Sequence, residues 1–321
     1  MSLAQTIWRR ILWRVFMARA AARRWLRPLT FAGQWLGGMA VLGVFALLRR
    51  LDPDRASDAG GGLARRLGPF LPVHRTGLAN LRAAFPDKDK AWIDATLLEA
   101  WDNLGRVAGE YVHLAHFWDF GTRSPGRIDI APEDEALFQD LLNDGKPALC
   151  FSAHLGNWEL SALVPPSHGM DSAVVYRVPN NPIVAREIQR IRAASMGQMI
   201  RTRNQAPIEI AAALHAGKHV GMLADQHFSR GVDIRFFGRA CKGNPAIARL
   251  ARQIECPVVG VRVIRLPHGR FRVQGVGPLT LPRAPDGRID VPATTQMIND
   301  IIEGWVREYP GQWLWFHRRW R

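Results

Sequence analysis

Pro147-Ala-Leu-Cys-Phe151-Ser-Ala-His154-Leu-Gly-Asn157-Trp-Glu159-Leu160 joins an apolar run to a segment that holds an imidazole and, five positions later, a carboxylate. The run Pro147 to Phe151 is short, continuous and apolar, and reads as a buried strand. On one continuous helix, residues five apart diverge by about 140°, so His154 and Glu159 cannot cooperate if both are helical. His154 is therefore expected on the strand-end loop. With a helix starting near Gly156 or Asn157, Glu159 falls in its first turn, where the macrodipole favours an ionised carboxylate. From there it can turn back to accept a hydrogen bond from the imidazole. A neutral histidine oriented by a carboxylate is a general base. The chain has no G-x-S-x-G elbow, the motif that would present a nucleophilic serine, so the pair is expected to activate a hydroxyl belonging to a substrate.

Outward from this stretch, strands and helices alternate. The pattern predicts strands at 147–152, 172–177, 219–224, 257–265 and 270–276. It predicts helices at 157–163, 183–197, 207–216 (closed by Gly217), 245–254 and 294–308. Such alternation indicates an α/β fold with a mostly parallel central sheet flanked by helices, whose ligand sites lie beyond the carboxyl ends of the strands. Arg177 ends the second of these strands, while Asp225 and Gln226 follow the third, so three strands deliver polar groups to one rim. Arg177 is expected to contact a phosphate or carboxylate of the substrate. Asp225 either holds an arginine or orients the site, and the sequence leaves both open. Phe236, Phe237, Trp313, Trp315 and Phe316 read as core.

Upstream, residues 1–30 contain seven arginines and no acid, and Trp8, Ile11, Leu12, Val15 and Phe16 recur at helical spacing. This is the pattern of a basic amphipathic helix that lies on a membrane surface. Phe31 to Leu48 follows as a mostly apolar run at the lower length limit for a span, flanked by Arg27 and by Arg49-Arg50. Residues 1–55 are thus expected to form an N-terminal membrane-associating helical anchor, amphipathic or transmembrane, and 56–321 the α/β domain. Gly60-Gly61-Gly62 reads as a flexible linker between them, and residues 78–118 as two helices. The terminal His317-Arg-Arg-Trp-Arg321 is expected as a basic tail on lipid or a solvated end.

The 43 basic against 28 acidic residues give a formal charge of +15, which points to anionic partners. Lys88, Lys90, Lys146, Lys218 and Lys242 are the only lysines, so the charge is mostly arginine, whose fork binds phosphate bidentately. Cys150, Cys241 and Cys256 form no C-x-x-C pair, which argues against a disulfide framework or a cysteine zinc site. No H-E-x-x-H or comparable cluster indicates a metal, no cofactor is implied, and no basic-aromatic readout module indicates nucleic acid.

The block His154-Leu-Gly-Asn157-Trp-Glu159 resembles the H-x4-[D/E] motif of the glycerolipid acyltransferase superfamily, in the version found in the lipid A late acyltransferases of Gram-negative bacteria. Further blocks match that branch in order: Tyr176-Arg177-Val-Pro-Asn180-Asn181-Pro182; Asp225-Gln226-His227 with Gly231-Val-Asp-Ile-Arg-Phe236-Phe237-Gly238; Asn244-Pro-Ala-Ile-Ala-Arg-Leu-Ala251; and Tyr309-Pro-Gly-Gln312-Trp313-Leu-Trp315-Phe-His317. The sequence departs from the pattern after Phe-Phe-Gly, where Arg239-Ala-Cys-Lys242 replaces small residues and threonines. The resemblance implies a membrane-bound acyltransferase on the cytoplasmic face of the inner membrane, among inner membrane lipids. It would move an acyl chain from acyl carrier protein to a hydroxyl of a Kdo-lipid A precursor, without an acyl-enzyme. His154 and Glu159 would then be catalytic, Arg177, Asp225, Gln226 and Asn157 would bind substrate, and backbone N–H groups near Gly156-Asn157 would hold the oxyanion. The alternative is an acyl-coenzyme A-dependent enzyme acting on another glycolipid, such as a phosphatidylinositol mannoside.

Overall fold

A computed structural model describes residues 33–122 and 126–320. The amphipathic pattern before residue 33 lies outside the described residues. In chain order the first elements are helices α1 (33–48), α2 (Pro53–Leu67), α3 (Val73–Ala84), α4 (Lys90–Glu110) and α5 (Leu114–Phe117), strand β1 (Ile128–Ile130), α6 (Pro132–Asn143), β2 (Leu149–Ser152), α7 (Val164–Ser167) and β3 (Ser172–Tyr176). There follow α8 (Pro182–Ala193), β4 (Gln198–Arg201), α9 (Ala206–His215), β5 (His219–Leu223), β6 (Val232–Phe236), β7 (Arg239–Gly243), α10 (Ala246–Ile254), β8 (Val258–Leu266), β9 (Arg270–Val276) and α11 (Val291–Glu308).

The central sheet has the strand order β1-β9-β8-β2-β5-β3-β4. Strands β8, β2, β5, β3 and β4 are mutually parallel, whereas β9 runs antiparallel to β8 and takes β1 alongside it. Successive side chains on a strand face opposite ways, and the two cores follow that rule. Leu149 and Phe151 of β2 join Val220 and Met222 of β5 in one core, with α9, α10 and α11. Cys150, Val259, Val261 and Val263 face the other, with α5 and α6. The α/β class and the mostly parallel sheet are as the alternation indicated.

Strands β6 and β7 form a separate hairpin, pairing Val232 with Gly243 through Phe236 with Arg239. Its two-residue turn, Phe237-Gly238, has φ of 53° and 70°. This is the pattern of a primed turn, with both central residues left-handed. Phe237 tolerates it because its ring is held by Phe85, by Trp315 and by the Arg307 guanidinium 4.3 Å from its centroid.

The described residues divide into two compact units, 33–47 with Pro179–Gln189, and 48–178 with 190–320. In the smaller unit Asn181 Nδ2 donates to Gln34 O at 2.6 Å, and Gly38 lies against Asn181 and Ile183 so closely that a Cβ would stand 2.9 Å from each. Most other side chains of α1 point outward, including Trp35, Leu36, Met39, Val44 and Leu47. Among the described residues no helix is long and apolar enough to cross a membrane.

The triple glycine is not a linker. Asp52 caps α2 by accepting from Asp54 N at 3.1 Å, with Pro53 at the first helical position, where a missing N–H costs nothing. Gly60-Gly61-Gly62 then lies inside the helix. A Cβ on Gly60 would collide with Gly105 O of α4, one on Gly105 with Gly60 O, and one on Gly109 with Ala56 O. The glycines let two helix backbones touch. Around them Ser57 Oγ donates to Glu110 Oε1 at 2.6 Å, and Arg106 bridges Asp102 and Asp58 at 2.7 and 2.6 Å. The boundary expected at residue 55 falls in the first turn of α2, inside the larger unit.

Gly105→Ala must push the α2 and α4 backbones apart and should destabilise the protein by about 1–3 kcal/mol. Gly62→Ala is the opposite case. Its Cβ would approach only the far end of Arg66, at 3.9 Å, so it should stabilise by up to about 1 kcal/mol through helix propensity. Urea denaturation of both variants checks the pair.

Candidate active site

Strand β2 pairs β5 in register, Ser152 opposite Leu223, and Ala224 N donates to Ser152 O at 2.9 Å. Two residues past each strand end, His154 and Asp225 therefore arrive at the same height. His154 Nδ1 donates to Asp225 Oδ1 at 2.8 Å, and the His154 backbone N–H donates to Asp225 Oδ2 at 2.9 Å. Trp313 Nε1 donates to the same Oδ2 at 2.8 Å. Asp225 is completely buried. Burial alone would push its carboxyl up, but the charge and hydrogen bonds of His154 hold it well below the usual carboxylate range. An ionised carboxylate only accepts, so Nδ1 carries a proton, and in the neutral form of the ring it is Nε2 that presents the lone pair. Gln226 Nε2 lies 3.4 Å from that nitrogen.

The expected hydrogen bond from the imidazole to Glu159 does not form. No α-helix starts at Gly156 or Asn157; Glu159 instead precedes a single 3-10 turn, Leu160–Leu163. Its carboxylate accepts from Arg192 Nη2 at 2.7 Å, Arg192 Nε at 3.0 Å and Trp158 Nε1 at 3.2 Å. The Arg192 guanidinium also lies over the rings of Tyr111 and Tyr176. A fully satisfied carboxylate has no reason to leave a bidentate arginine for an imidazole already bonded to Asp225. Of the two roles left open for Asp225, the geometry gives it the second, orienting the site.

Asn157, expected at the substrate, is wholly buried. Its Nδ2 donates to Glu110 Oε2 at 2.8 Å and its Oδ1 accepts from Glu159 N at 3.2 Å. Gly156, expected to help hold the oxyanion, donates its N–H to Gln312 O at 3.0 Å instead. Both residues belong to a clamp beneath the site. Asn103 Nδ2 donates to Gly156 O at 2.9 Å, Arg265 Nε to Asn103 Oδ1 at 2.9 Å, and Arg265 Nη2 to Glu110 Oε2 at 2.9 Å. Gly156 has φ of 56°, and a Cβ there would strike Val263 O. Glycine is required at that turn on both counts.

A cavity of about 850 Å³ opens beside His154. His154, Glu159, Arg177, Arg192 and Gln226 line it, as do Arg203 and Arg230. Arg177 and Arg230 make no ion pair among the described residues, whereas Arg203 pairs Glu209 at 2.7 Å. Asp225 lies behind His154, out of the lining. Away from the mouth the walls are mainly small and aliphatic, from β2, β3, β5, β8, α6 and α7. Cys150 lies on this wall, its thiol pushed up to about 12 by burial and the neighbouring Cys256, so it is protonated and no nucleophile at neutral pH. Phe236, Phe237, Trp313 and Trp315 are core, as expected. Among the described residues no group of three or more His, Cys, Asp or Glu could hold a metal ion.

The C-terminal segment is structural rather than a tail on lipid. Leu314 N donates to His154 O at 3.0 Å, Arg319 is buried with its Nη2 on Asn299 Oδ1 at 2.7 Å, and Trp320 Nε1 donates to Phe236 O at 3.1 Å. Sequence reasoning missed Arg192, because nothing in local spacing ties it to Glu159, 33 positions away. It also left Trp313 as plain core, although a buried indole N–H requires an acceptor.

An oriented imidazole at the strand ends of an α/β sheet, open to a mainly apolar cavity with arginines at its rim, is an arrangement that fits an enzyme of the acyl-transfer class. Residues 23–321 match the family described as bacterial lipid A biosynthesis acyltransferase, and the chain belongs to that family. It is an acyltransferase of lipid A biosynthesis, acting on a lipid A-type acceptor with an acyl donor. No curated protein matches the chain.

His317 generates a pH prediction. Burial pushes its imidazole down to about 4, Asp225 pulling the other way and His154 adding to the depression. A group whose folded pKa is depressed contributes stability that is complete above its unfolded value of about 6.5 and is lost as pH falls towards 4. Unfolding free energy should drop by roughly 3 kcal/mol across that window. Urea titrations at a series of pH values should show this slope, and His317→Leu should flatten it.

Proposed function

We propose that the enzyme transfers a fatty acyl chain from an acyl thioester, carried by acyl carrier protein, to a hydroxyl of a Kdo-lipid A precursor, with no covalent acyl-enzyme. The observation that carries this reading is the His154 imidazole, held by a buried carboxylate at Nδ1 and open at Nε2 to the 850 Å³ cavity. His154 Nε2 takes the proton of the acceptor hydroxyl, and the oxygen attacks the thioester carbonyl. The tetrahedral intermediate collapses by breaking the carbon–sulfur bond. The thiolate leaves and takes up a proton, the one held by the imidazolium being at hand. Asp225 fixes the tautomer and steadies the imidazolium. Glu159 acts at one remove, holding Arg192 at the cavity wall. Gln226 lies beside Nε2, while Arg177 and Arg230 at the rim meet the phosphates or carboxylates of the acceptor.

The acyl chain occupies the apolar cavity, since such pockets suit hydrocarbon. Acyl carrier protein as donor is supported by charge, its acidic surface meeting a chain of formal charge +15. Attachment to the inner membrane is supported by the outward apolar side chains of α1 and by the arginines before it in sequence, and its cytoplasmic face is the side that acyl carrier protein as donor would require.

His154→Ala and Asp225→Asn should each lower kcat by about 10²–10⁴. Glu159→Gln should also lower it but leave the pH profile of kcat unchanged, because its carboxylate does not touch the imidazole. Asp225→Asn should displace that profile. Steady-state kinetics against pH checks both, and a folded His154→Ala enzyme with wild-type turnover would overturn the mechanism.

Arg177→Lys keeps the charge but loses the planar fork, so transfer to the phosphorylated acceptor should fall by about tenfold or more. Hydrolysis of the acyl donor by water does not use the acceptor and should be spared. Comparing the two rates on one preparation checks it, and equal losses in both would refute acceptor binding by Arg177.

A further inference from the structure

The cavity floor has a composition that hydrocarbon alone does not explain. Gly221 stands in the middle of β5, opposite Cys150 of β2 and Val174 of β3. A Cβ added there would meet no atom within 4 Å, although Gly221 sits between two paired strands. The open space over it is the cavity itself. Glycine inside a strand weakens it and marks a place where something else comes close to the backbone.

Two positions deeper on the same face, His219 opens β5 and is paired in register with Ser172, the first residue of β3. Both line the cavity and both are more than nine-tenths buried, at 7% and 3% exposure. His219 Nε2 donates to Leu141 O at 3.1 Å, so in the neutral form of the ring Nδ1 is the acceptor. Neither that nitrogen nor Ser172 Oγ has a hydrogen-bond partner among the described residues. Buried polar atoms are ordinarily paired, and a methylene pressed onto them would shut out the water able to satisfy them.

We propose that Gly221, Ser172 and His219 are a length gauge for the acyl chain: Gly221 keeps the passage open, and the two polar residues end it. This deepens the reading of the cavity as the acyl site and rests on it. The gauge has a scale. His219 lies at the height of Ala148, because Leu149 is opposite Val220, and five strand steps from Ala148 to Ala153 span roughly 16 Å. Carbon–carbon bonds of about 1.5 Å at tetrahedral angles advance about 1.25 Å each. A chain whose carbonyl lies at the height of Ala153, one strand step inside His154 with the attacking hydroxyl between them, therefore reaches the polar floor after about 13 carbons. Gly221 lies two strand steps higher, or about five carbons nearer the mouth.

The experiment gives the full-length enzyme a mixture of saturated acyl thioesters of about 8 to 18 carbons, on acyl carrier protein and separately on coenzyme A. The acceptor is Kdo-lipid A precursor, and mass spectrometry reads the products. Wild type should favour chains near 13 carbons and fall off beyond them. Gly221→Leu should move the optimum about five carbons shorter. Ser172→Ala and His219→Leu should each raise the use of chains two carbons past the limit by about tenfold relative to the optimum. Circular dichroism establishes that each variant is folded. If Gly221→Leu does not fold, Gly221→Ala replaces it, since its Cβ meets open space, and it should disfavour the longest chains accepted by wild type. A folded Gly221 variant with the wild-type length profile, or with no transfer of any chain, overturns the gauge. A wild-type enzyme that transfers no acyl chain from either donor overturns the acyltransferase reading of the cavity instead.

Discussion

The Asp225 carboxylate is the constraint on which the site depends. It is fully buried, and three N–H groups from two distant parts of the chain converge on it. A buried charge is tolerated only when it is paired and hydrogen-bonded, so these contacts stand or fall together. Removing any one leaves an ionised group short of partners in a dry setting. The same contacts fix the loop after β2, the ring of His154 and, through Trp313, the C-terminal segment.

A second buried carboxylate, Glu110, does the structural counterpart of this from below. It receives Ser57, Asn157 and Arg265, tying α2, the His154 loop and β8 to the end of α4. The close approach of α2 to α4 through Gly60, Gly105 and Gly109 brings Ser57 within reach. Backbone contact between helices, which seems remote from catalysis, thus bears on how firmly the loop beneath His154 is held. Rigid support of this kind holds a general base in its productive geometry.

The cavity and its rim divide the work by polarity. Small and aliphatic side chains on one sheet face leave room for hydrocarbon, while arginines gather where the strands end. A cluster of bulky aromatics in the opposite core, Phe85, Phe237 and Trp315 among them, holds the β6–β7 turn in its left-handed conformation. A mainly apolar cavity with a charged mouth follows from the alternation of strand side chains and from the common direction of the parallel strands.

Five strands of the central sheet and the helices α8 to α11 were legible in the sequence because they rest on local periodicity, whereas β1, β4, α6 and the β6–β7 hairpin were not. The delivery of His154, Arg177 and Asp225 to one rim was legible too, since each follows an apolar run. The sequence motif also drew attention to Glu159, but spacing along the chain could not say what that carboxylate touches. Which carboxylate orients His154 is decided by the pairing of β2 with β5, strands some seventy residues apart whose register sets positions 154 and 225 side by side. Glycines 60–62 show the same limit: a triple glycine favours a turn when read locally, but here it is helix, because the gain from packing against α4 outweighs a propensity cost of about 1 kcal/mol per glycine. Local preference is a property of neighbours in sequence. Partners for a buried charge, and the space above a glycine, belong to neighbours that only the folded chain brings together.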